Sequence, residues 1–168
     1  IAKGFLTELG TEAASHGVQT LGGHGFIVGN GMEQIQRDAR ISTLYEGTTG
    51  VQGLDLIGRK VLMSKTKQLP KLQAKIAALC KEHMFSGGDL GKCARKLYFA
   101  NLRWKMSVPG IMAGAARDKN IVGSAAQDFL MFSGYIMLGF YNLRMAAAAS
   151  KKLGDDKDGF YQTKIDMC

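Results

Sequence analysis

Apolar residues recur every three or four positions through most of the chain, which is the period of an amphipathic helix. The pattern predicts a first helix that reaches Gly22-Gly23, a second that begins at Met32, and a long last helix that ends before Gly154. No segment keeps the strict alternation of a half-buried strand. The sequence therefore predicts an all-α fold, a helical bundle followed by a second helical extension. The clearest apolar stripes are Phe5, Leu9, Ala13 and Val18; Met32, Ile35 and Ala39; and Phe129, Phe132, Ile136, Phe140 and Leu143.

Breaks in the helical pattern fall at glycine and proline. Residues 22–31 hold five glycines, too many for a helix interior, and predict a loop. Gly47 interrupts the pattern in a short turn, and Thr48 is a residue type that often caps a following helix. Pro109-Gly110 predicts the beginning of a short connection between helices. Together the breaks indicate two helical units joined around residues 60–70.

The composition is that of an ordinary globular protein, with 168 residues, 46% hydrophobic and 21% charged. Its cysteines, Cys80, Cys93 and Cys168, are odd in number and lack the spacing of a zinc site, so the sequence predicts neither a disulfide scaffold nor a metal site. We expect a reducing, cytoplasmic location. The longest apolar run, residues 129–141, is shorter than the roughly 20 residues of a membrane-spanning helix. We expect a core helix and no membrane span.

Charge is unevenly distributed along the chain. Residues 1–60 sum to −1, whereas residues 61–168 sum to +9. A basic region of this kind is compatible with nucleic acid, a membrane surface or a phosphorylated ligand, while a lysine-coated solvated surface is the commoner explanation. The sequence has no helix-turn-helix signature and no platform of aromatic and basic residues, so we expect no nucleic-acid partner. Periodic segments are interrupted at both ends of the chain, and we expect a piece of a longer protein.

Two features could carry chemistry. Glu46 stands in a turn just before a helix, where a carboxylate either stabilises the helix dipole or acts as a general base. The glycines of residues 22–31 would leave backbone N–H groups bare for a phosphate, although a tight helix connection is the simpler interpretation. The three histidines, His16, His24 and His83, lack metal-ligand spacing.

Three motifs follow one another near the start of the chain: Gln19–Phe26, Met32–Ile41 and Leu44–Thr48. Their order and spacing closely resemble the C-terminal helical domain of the acyl-CoA dehydrogenases. The next segment, residues 50–60, is similar to the longer bacterial branch of that family, which carries an extra C-terminal helical domain. The resemblance implies two domains, with residues 1–62 as the C-terminal part of the helical domain and residues 63–168 as the additional domain.

The resemblance also implies roles for single residues. Glu46 matches the catalytic base that removes the α-proton of an acyl-CoA, and its own backbone N–H would polarise the thioester carbonyl together with a ribityl hydroxyl of FAD. Tyr45 and Gly47 would line the acyl thioester. The positions that match FAD contacts are Gln19, Gly22 and Gly23, toward the FAD of a neighbouring subunit, and Thr48. Many short-chain members have a glutamine four residues beyond the base, where this chain has Gly50 and then Gln52.

The implied function is FAD-dependent α,β-dehydrogenation of an acyl-CoA in fatty acid β-oxidation. The resemblance implies a homo-oligomer, dimer or tetramer, with electron-transferring flavoprotein as electron acceptor. This piece alone would be inactive, because the family places an N-terminal helical domain and a β domain before it. A 3-methylmercaptopropionyl-CoA dehydrogenase has the same extended architecture and stays open, as does a non-catalytic helical assembly module.

Overall fold

The computed structural model describes residues 1–63 and 68–168, and within them the secondary structure is helical with no strand. The all-α prediction is therefore confirmed for the described residues. The helices are α1 Ala2–Leu21, α2 Gly23–Phe26, α3 Met32–Ile41, α4 Thr49–Leu54, α5 Gln68–His83, α6 Gly88–Ala115, α7 Asn120–Ser150 and α8 Phe160–Asp166. Two 3₁₀ turns lie at Val28–Asn30 and Leu153–Asp155, and α4 continues as a π-helical segment over Asp55–Met63.

Two predictions of local structure are wrong. Residues 22–31 are not an open loop, because they fold into α2 and the 3₁₀ turn at Val28–Asn30. Positive φ angles at Gly22 and Gly31 separate these turns from the longer helices on either side. The second error concerns Pro109, where α6 continues to Ala115. Proline removes one backbone N–H donor and Gly110 is a weak helix former, yet the helix persists through both residues, so local propensity does not decide its end.

The described residues divide into two compact units. The first unit comprises α1 to the π-helical segment together with residues 117–134, and the second comprises α5, α6, α7 from Tyr135 onward, and α8. The predicted domain division at residues 62 and 63 stays a prediction. The junction predicted around residues 60–70 includes residues 64–67, which lie outside the described residues.

The core of the first unit is built by close approach of α1 and α4 to the beginning of α7. The buried ring of Phe5 fills the space that a side chain at Gly134 would need. A Cβ atom at Gly53 would stand 2.7 Å from the backbone oxygen of Ala126, so α4 and α7 meet backbone to backbone. The predicted stripe of α1 is wrong at one position, because Ala14 is buried and Ala13 is exposed. The lack of a side chain at Gly53 and Gly134 lets the helices pack more closely than larger residues would allow.

The second unit has its own core around α5 and α6. The Asn101 side-chain amide donates to the backbone carbonyl of Gln73 over 2.9 Å, and Trp104 is buried in the same helix as Asn101. All three cysteines are free thiols, and burial with the neighbouring Cys93 raises the pKa of Cys80 to about 11. Burial likewise raises the pKa of Cys168 to about 12, with further contributions from a hydrogen bond to Cys93 and from nearby charges. The raised pKa values keep the Cys80 and Cys168 thiols protonated at neutral pH, which makes these two poor nucleophiles.

Helix α7 is longer and more apolar than its central run suggests. It is long and apolar enough to cross a membrane by length and composition, with a mean hydropathy of 1.3 over its most apolar 18-residue window. Residues 129–141 are thus the central part of a longer apolar helix, because alanines before and after the run extend it in both directions. Core helices satisfy the same criteria, and Leu130, Ile136 and Leu143 are buried within the units. The absence of a membrane span stays a prediction.

Candidate functional site

Glu46 occupies a sharp turn between α3 and α4. Its φ angle is +45°, and it is the one non-glycine residue with positive φ in the described part of the chain. Gly47 follows with φ +91°. A non-glycine residue in this region costs of order 1–2 kcal/mol, so surrounding contacts must hold the turn in place. The predicted turn before a helix N-terminus is confirmed, and its backbone is strained at the candidate base itself.

Lys3 on α1 supplies the contacts before and after that strained residue. Its Nζ donates to the carbonyl oxygens of Ser42 at 3.2 Å, Tyr45 at 2.7 Å and Gly47 at 2.7 Å. The same ammonium lies 5.2 Å from the centroid of the Tyr45 ring, a cation–π distance. One side chain thus binds the turn on both sides of Glu46.

Glu8, also on α1, contacts the turn where α4 begins. The Thr49 hydroxyl, in a buried residue, donates to the Glu8 carboxylate. Thr48 takes the predicted N-cap position, but its side chain makes no capping hydrogen bond. The carboxylate therefore engages the first turn of α4, where negative charge is favoured by the helix dipole. Lys3 and Glu8 hold the two ends of the turn from the same helix.

Space beneath the turn is filled by Gln52. A Cβ atom at Gly47 would stand 2.5 Å from the Gln52 Nε2, and one at Gly4 would stand 3.4 Å from the Gln52 Cβ. The glutamine side chain therefore lies against the turn and the start of α1. Two features favour glycine at position 47: its positive φ angle and the closeness of the Gln52 amide.

The functional groups of Glu46 are accessible. The residue is exposed, and within residues 1–63 and 68–168 no hydrogen bond engages its side chain or its backbone N–H. Tyr45 beside it is 51% exposed. A carboxylate and a free N–H on one residue can accept a proton from, and donate a hydrogen bond to, adjacent atoms of one bound molecule.

The glycine segment lies at the other end of α1. Gln19, Gly22 and Gly23 are exposed, and a Cβ atom at either glycine would meet no atom within 4 Å. Gly22 has φ +57°, so its backbone conformation rather than crowding favours glycine. Gly25 differs, because it is buried and a Cβ there would collide with the backbone carbonyl of Val18.

The two groups of predicted site residues do not come together. Tyr45, Glu46, Gly47 and Thr48 are consecutive in the turn bound by Lys3, near the beginning of α1. Gln19 to Gly23 lie at its end, about 28 Å away along the helix at about 1.5 Å per residue. Two cavities in this unit have volumes of about 430 and 330 Å³, and Glu46 lines neither of them.

Sequence reasoning missed Lys3 and Glu8. A signal for Lys3 was present, since it is the one lysine or arginine among the first 36 residues. Because the other charged residues of this helix are Glu8 and Glu12, a single lysine suggests that its ammonium group has a specific partner. Its partners are backbone carbonyl oxygens about 40 residues away, and helical periodicity does not indicate them. In the described residues no group of three His, Cys, Asp or Glu side chains could hold a metal ion.

Comparison with known proteins matches both parts of the chain. Residues 1–62 match the family model described as acyl-CoA dehydrogenase, C-terminal domain, and residues 72–168 match the one described as acetyl-CoA dehydrogenase C-terminal like. Both descriptions are of C-terminal domains, which agrees with the helical structure of the described residues. The chain belongs to the acyl-CoA dehydrogenase family.

Three curated relatives illustrate this membership. The 3-methylmercaptopropionyl-CoA dehydrogenase of Ruegeria pomeroyi is 37% identical over 98% of this chain and 28% of its own length. The broad-specificity linear acyl-CoA dehydrogenase FadE5 of Mycobacterium tuberculosis is 32% identical over the same shares. A caffeyl-CoA reductase-Etf complex subunit, CarC of Acetobacterium woodii, is 38% identical over 34% of this chain and 15% of its own length. The chain spans little more than a quarter of the first two relatives.

Proposed function

We propose that the chain forms the C-terminal part of an FAD-dependent acyl-CoA dehydrogenase in which Glu46 is the catalytic base. The observation that carries this proposal is the strained, exposed Glu46 in a turn bound on both sides by Lys3. Strain of this kind persists only where surrounding contacts enforce it, and it clusters at functional sites. The family membership supplies the reaction class.

The chemistry needs two groups that this turn presents. An α-proton beside a thioester carbonyl is too weakly acidic for a free carboxylate, so the carbonyl oxygen must be stabilised as the proton leaves. The Glu46 carboxylate accepts the proton, while its unengaged N–H donates to the thioester oxygen. The exposed Tyr45 and the side-chain-free Gly47 line the thioester on either side.

The glycine segment fits a role toward the cofactor. Gly22 and Gly23 present exposed backbone with open space where side chains would stand, so a ligand can approach their peptide groups closely. When bound, FAD supplies the hydride acceptor. We assign Gln19, Gly22 and Gly23 to the FAD of a neighbouring subunit, since they lie about 28 Å along α1 from the turn, and Thr48 to the flavin of its own subunit.

The same proposal covers partners and location. The relatives described above are named for different acyl groups, 3-methylmercaptopropionyl in one and linear acyl in another, so the proposal commits to a CoA thioester and to no one acyl group. One relative is named as a subunit of an Etf complex, which supports electron-transferring flavoprotein as acceptor. The complete protein is proposed to be a cytoplasmic homo-oligomer acting in fatty acid β-oxidation, and this piece alone to be inactive.

A non-catalytic assembly module is the second candidate. Its supporting observation is the apolar side chains of α3 and the preceding turn that remain exposed in this chain. Ile35, predicted to lie on a packed face, is 55% exposed, and Phe26 and Val28 are about four-fifths exposed. Packing against other parts of the protein would cover these side chains whether or not the turn is catalytic.

A Glu46→Gln substitution in the full-length protein separates the two candidates. The amide keeps the shape of the side chain but cannot accept the proton, so turnover should fall by at least the roughly 10²–10⁴-fold typical of losing a general base. Flavin content and oligomeric mass should not change. The matched control is Glu12→Gln, on the exposed surface of α1, which should retain turnover. Near-normal turnover of Glu46→Gln would reject the catalytic assignment and favour the assembly module.

A further inference from the structure

Lys3 makes an unusual set of contacts for a half-buried lysine. A lysine ammonium has three N–H donors, and three carbonyl oxygens, those of Ser42, Tyr45 and Gly47, lie within hydrogen-bond distance of Nζ. The acceptors are 39 to 44 residues away in sequence. Among the residues that the structure describes, no carboxylate pairs with this charge, so its function in the fold is to bind peptide oxygens of one turn.

These three oxygens surround the strained residue. Two belong to residues before Glu46 and one to the residue after it, while the positive φ lies at Glu46 itself. Fixing the peptide groups on both sides restricts rotation about the backbone bonds between them. Without the ammonium, the carbonyl oxygens of Tyr45 and Gly47 lose a charged donor, and the backbone at Glu46 can return to the more favourable negative φ.

Such a relaxation would move the two groups that the reaction uses. Because the Glu46 side chain and its N–H leave from adjacent backbone atoms, a change in φ reorients the N–H relative to the carboxylate. Proton abstraction and stabilisation of the oxyanion require both groups at one substrate, and a displacement of about 1 Å can cost about 10²-fold in rate.

We propose that Lys3 is a positioning residue that holds Glu46 in its left-handed conformation, so that carboxylate and N–H point at the same acyl thioester. The proposal rests on the function assigned above, and the contacts of the Lys3 ammonium described above are with the turn alone. Its effect reaches the reaction only through the turn. Arginine retains a positive charge with several donors, and methionine retains length without either, which makes the pair Lys3→Arg and Lys3→Met informative.

The test is carried out in the full-length flavoprotein with Glu46→Gln assayed in parallel. For Lys3→Met we expect kcat to fall about 10²-fold, with KM for acyl-CoA, flavin content and Tm close to those of the unmodified protein. Lys3→Arg should recover most of the lost kcat. Lys96→Met, an exposed lysine of the second unit, is the matched control and should leave all four quantities unchanged.

A second readout is the kinetic isotope effect on kcat with acyl-CoA deuterated at the α-carbon. If Lys3 positions the base, removal of the α-proton becomes more rate-limiting in Lys3→Met, and the isotope effect rises above that of the unmodified protein. A merely structural role would lower flavin content and Tm together and would leave the isotope effect unchanged.

The outcomes distinguish this inference from the proposed function. Loss of activity in Glu46→Gln with full kcat in Lys3→Met would overturn the positioning role while the base assignment stands. A lower Tm together with a lower flavin content in both Lys3→Met and Lys3→Arg would also overturn the positioning role, in favour of a structural role. Retained activity in Glu46→Gln would reject the proposed function itself, and with it the positioning role.

Discussion

The two ends of α1 hold their neighbouring turns by different means. At its beginning, charged side chains reach the turn around Glu46, with Lys3 on three carbonyl oxygens and Glu8 on the Thr49 hydroxyl. At its end, the glycine segment is held by local contacts. The Gly25 N–H donates to the Gly22 carbonyl over 3.0 Å, and the Asn30 side chain donates to the His24 carbonyl over 2.6 Å.

This difference matches the two roles proposed for these regions. A turn that is strained at one residue needs directional bonds from a rigid helix, since its own backbone favours another conformation. A segment that offers bare backbone to a ligand needs only compact local folding and the absence of side chains. Long-range side-chain bonds therefore fix the candidate base, whereas short-range backbone bonds and steric fit shape the candidate cofactor segment.

The comparison predicts that the glycine segment is most sensitive to added volume at its one buried glycine. In Gly25→Ala the new methyl group would collide with the Val18 carbonyl, and α2 would have to move away from α1. We expect the free energy of unfolding to fall by about 3 kcal/mol, at the upper end of the usual cost of overpacking. Flavin content should fall as well, because the segment is displaced.

Gly23→Ala is the control for the stability part of that prediction. Its added methyl group meets no atom within 4 Å, and the residue lies in α2, where alanine is well accommodated. Equal losses of stability in the two variants, measured by denaturant unfolding of the full-length protein, would show that local steric fit does not hold this segment.

In the turn around Glu46, an added methyl group should destabilise the protein by straining the backbone rather than by disrupting a packed interface. Gly47→Ala places a methyl group at φ +91°, where it also meets the Gln52 amide. Because the amide is the end of a flexible side chain, the collision can be relieved, and the expected loss is about 2 kcal/mol of unfolding free energy from backbone strain. Turnover should fall more steeply than stability, since the altered backbone adjoins Glu46.

Gly50→Ala is the matched control for Gly47→Ala, as it lies in α4 with open space around its Cβ position. It should retain both stability and turnover. If Gly47→Ala lost stability but kept kcat, the conformation of the turn would not matter to the reaction, and the contrast between the ends of α1 would be structural only.

Local patterns predicted the helices and turns but not the contacts that bind them. Gly47 correctly indicated a break before α4, since its positive φ acts on its own backbone, whereas Thr48 takes the N-cap position without a capping hydrogen bond from its side chain. The side chain that engages the start of α4 is nevertheless Thr49, because its hydroxyl faces Glu8 across 41 residues. Pro109 is the opposite case: proline is a strong local signal for the end of a helix, yet α6 continues through it. Lys3 carried no local signal of its acceptors at all.

A second kind of failure concerns apolar residues that the sequence pattern predicts to be covered and that the structure leaves exposed. Ile35 and Ala13 lie on stripes with helical spacing, yet Ile35 is 55% exposed and Ala13 is exposed. An apolar stripe predicts that a face will be covered, but it does not say by what. The chain spans 28% of the length of its relatives in Ruegeria pomeroyi and Mycobacterium tuberculosis. Cover supplied by other parts of a protein cannot be deduced from the stripe alone.

The smallest expected effect comes from the hydrogen bond between Thr49 and Glu8. Thr49→Val removes the hydroxyl while keeping the shape of the buried side chain, and the Glu8 carboxylate loses its donor at the start of α4. Glu8 is only half-buried, so water can replace part of that bond, and we expect a loss of about 1 kcal/mol in unfolding free energy. Thr49→Ser, which keeps the donor, is the control. Because Lys3 still binds both sides of Glu46 in this variant, kcat should change less than twofold. A fall in kcat as large as that expected for Lys3→Met would show that the whole turn, rather than the ammonium bonds beside Glu46, determines the position of the base.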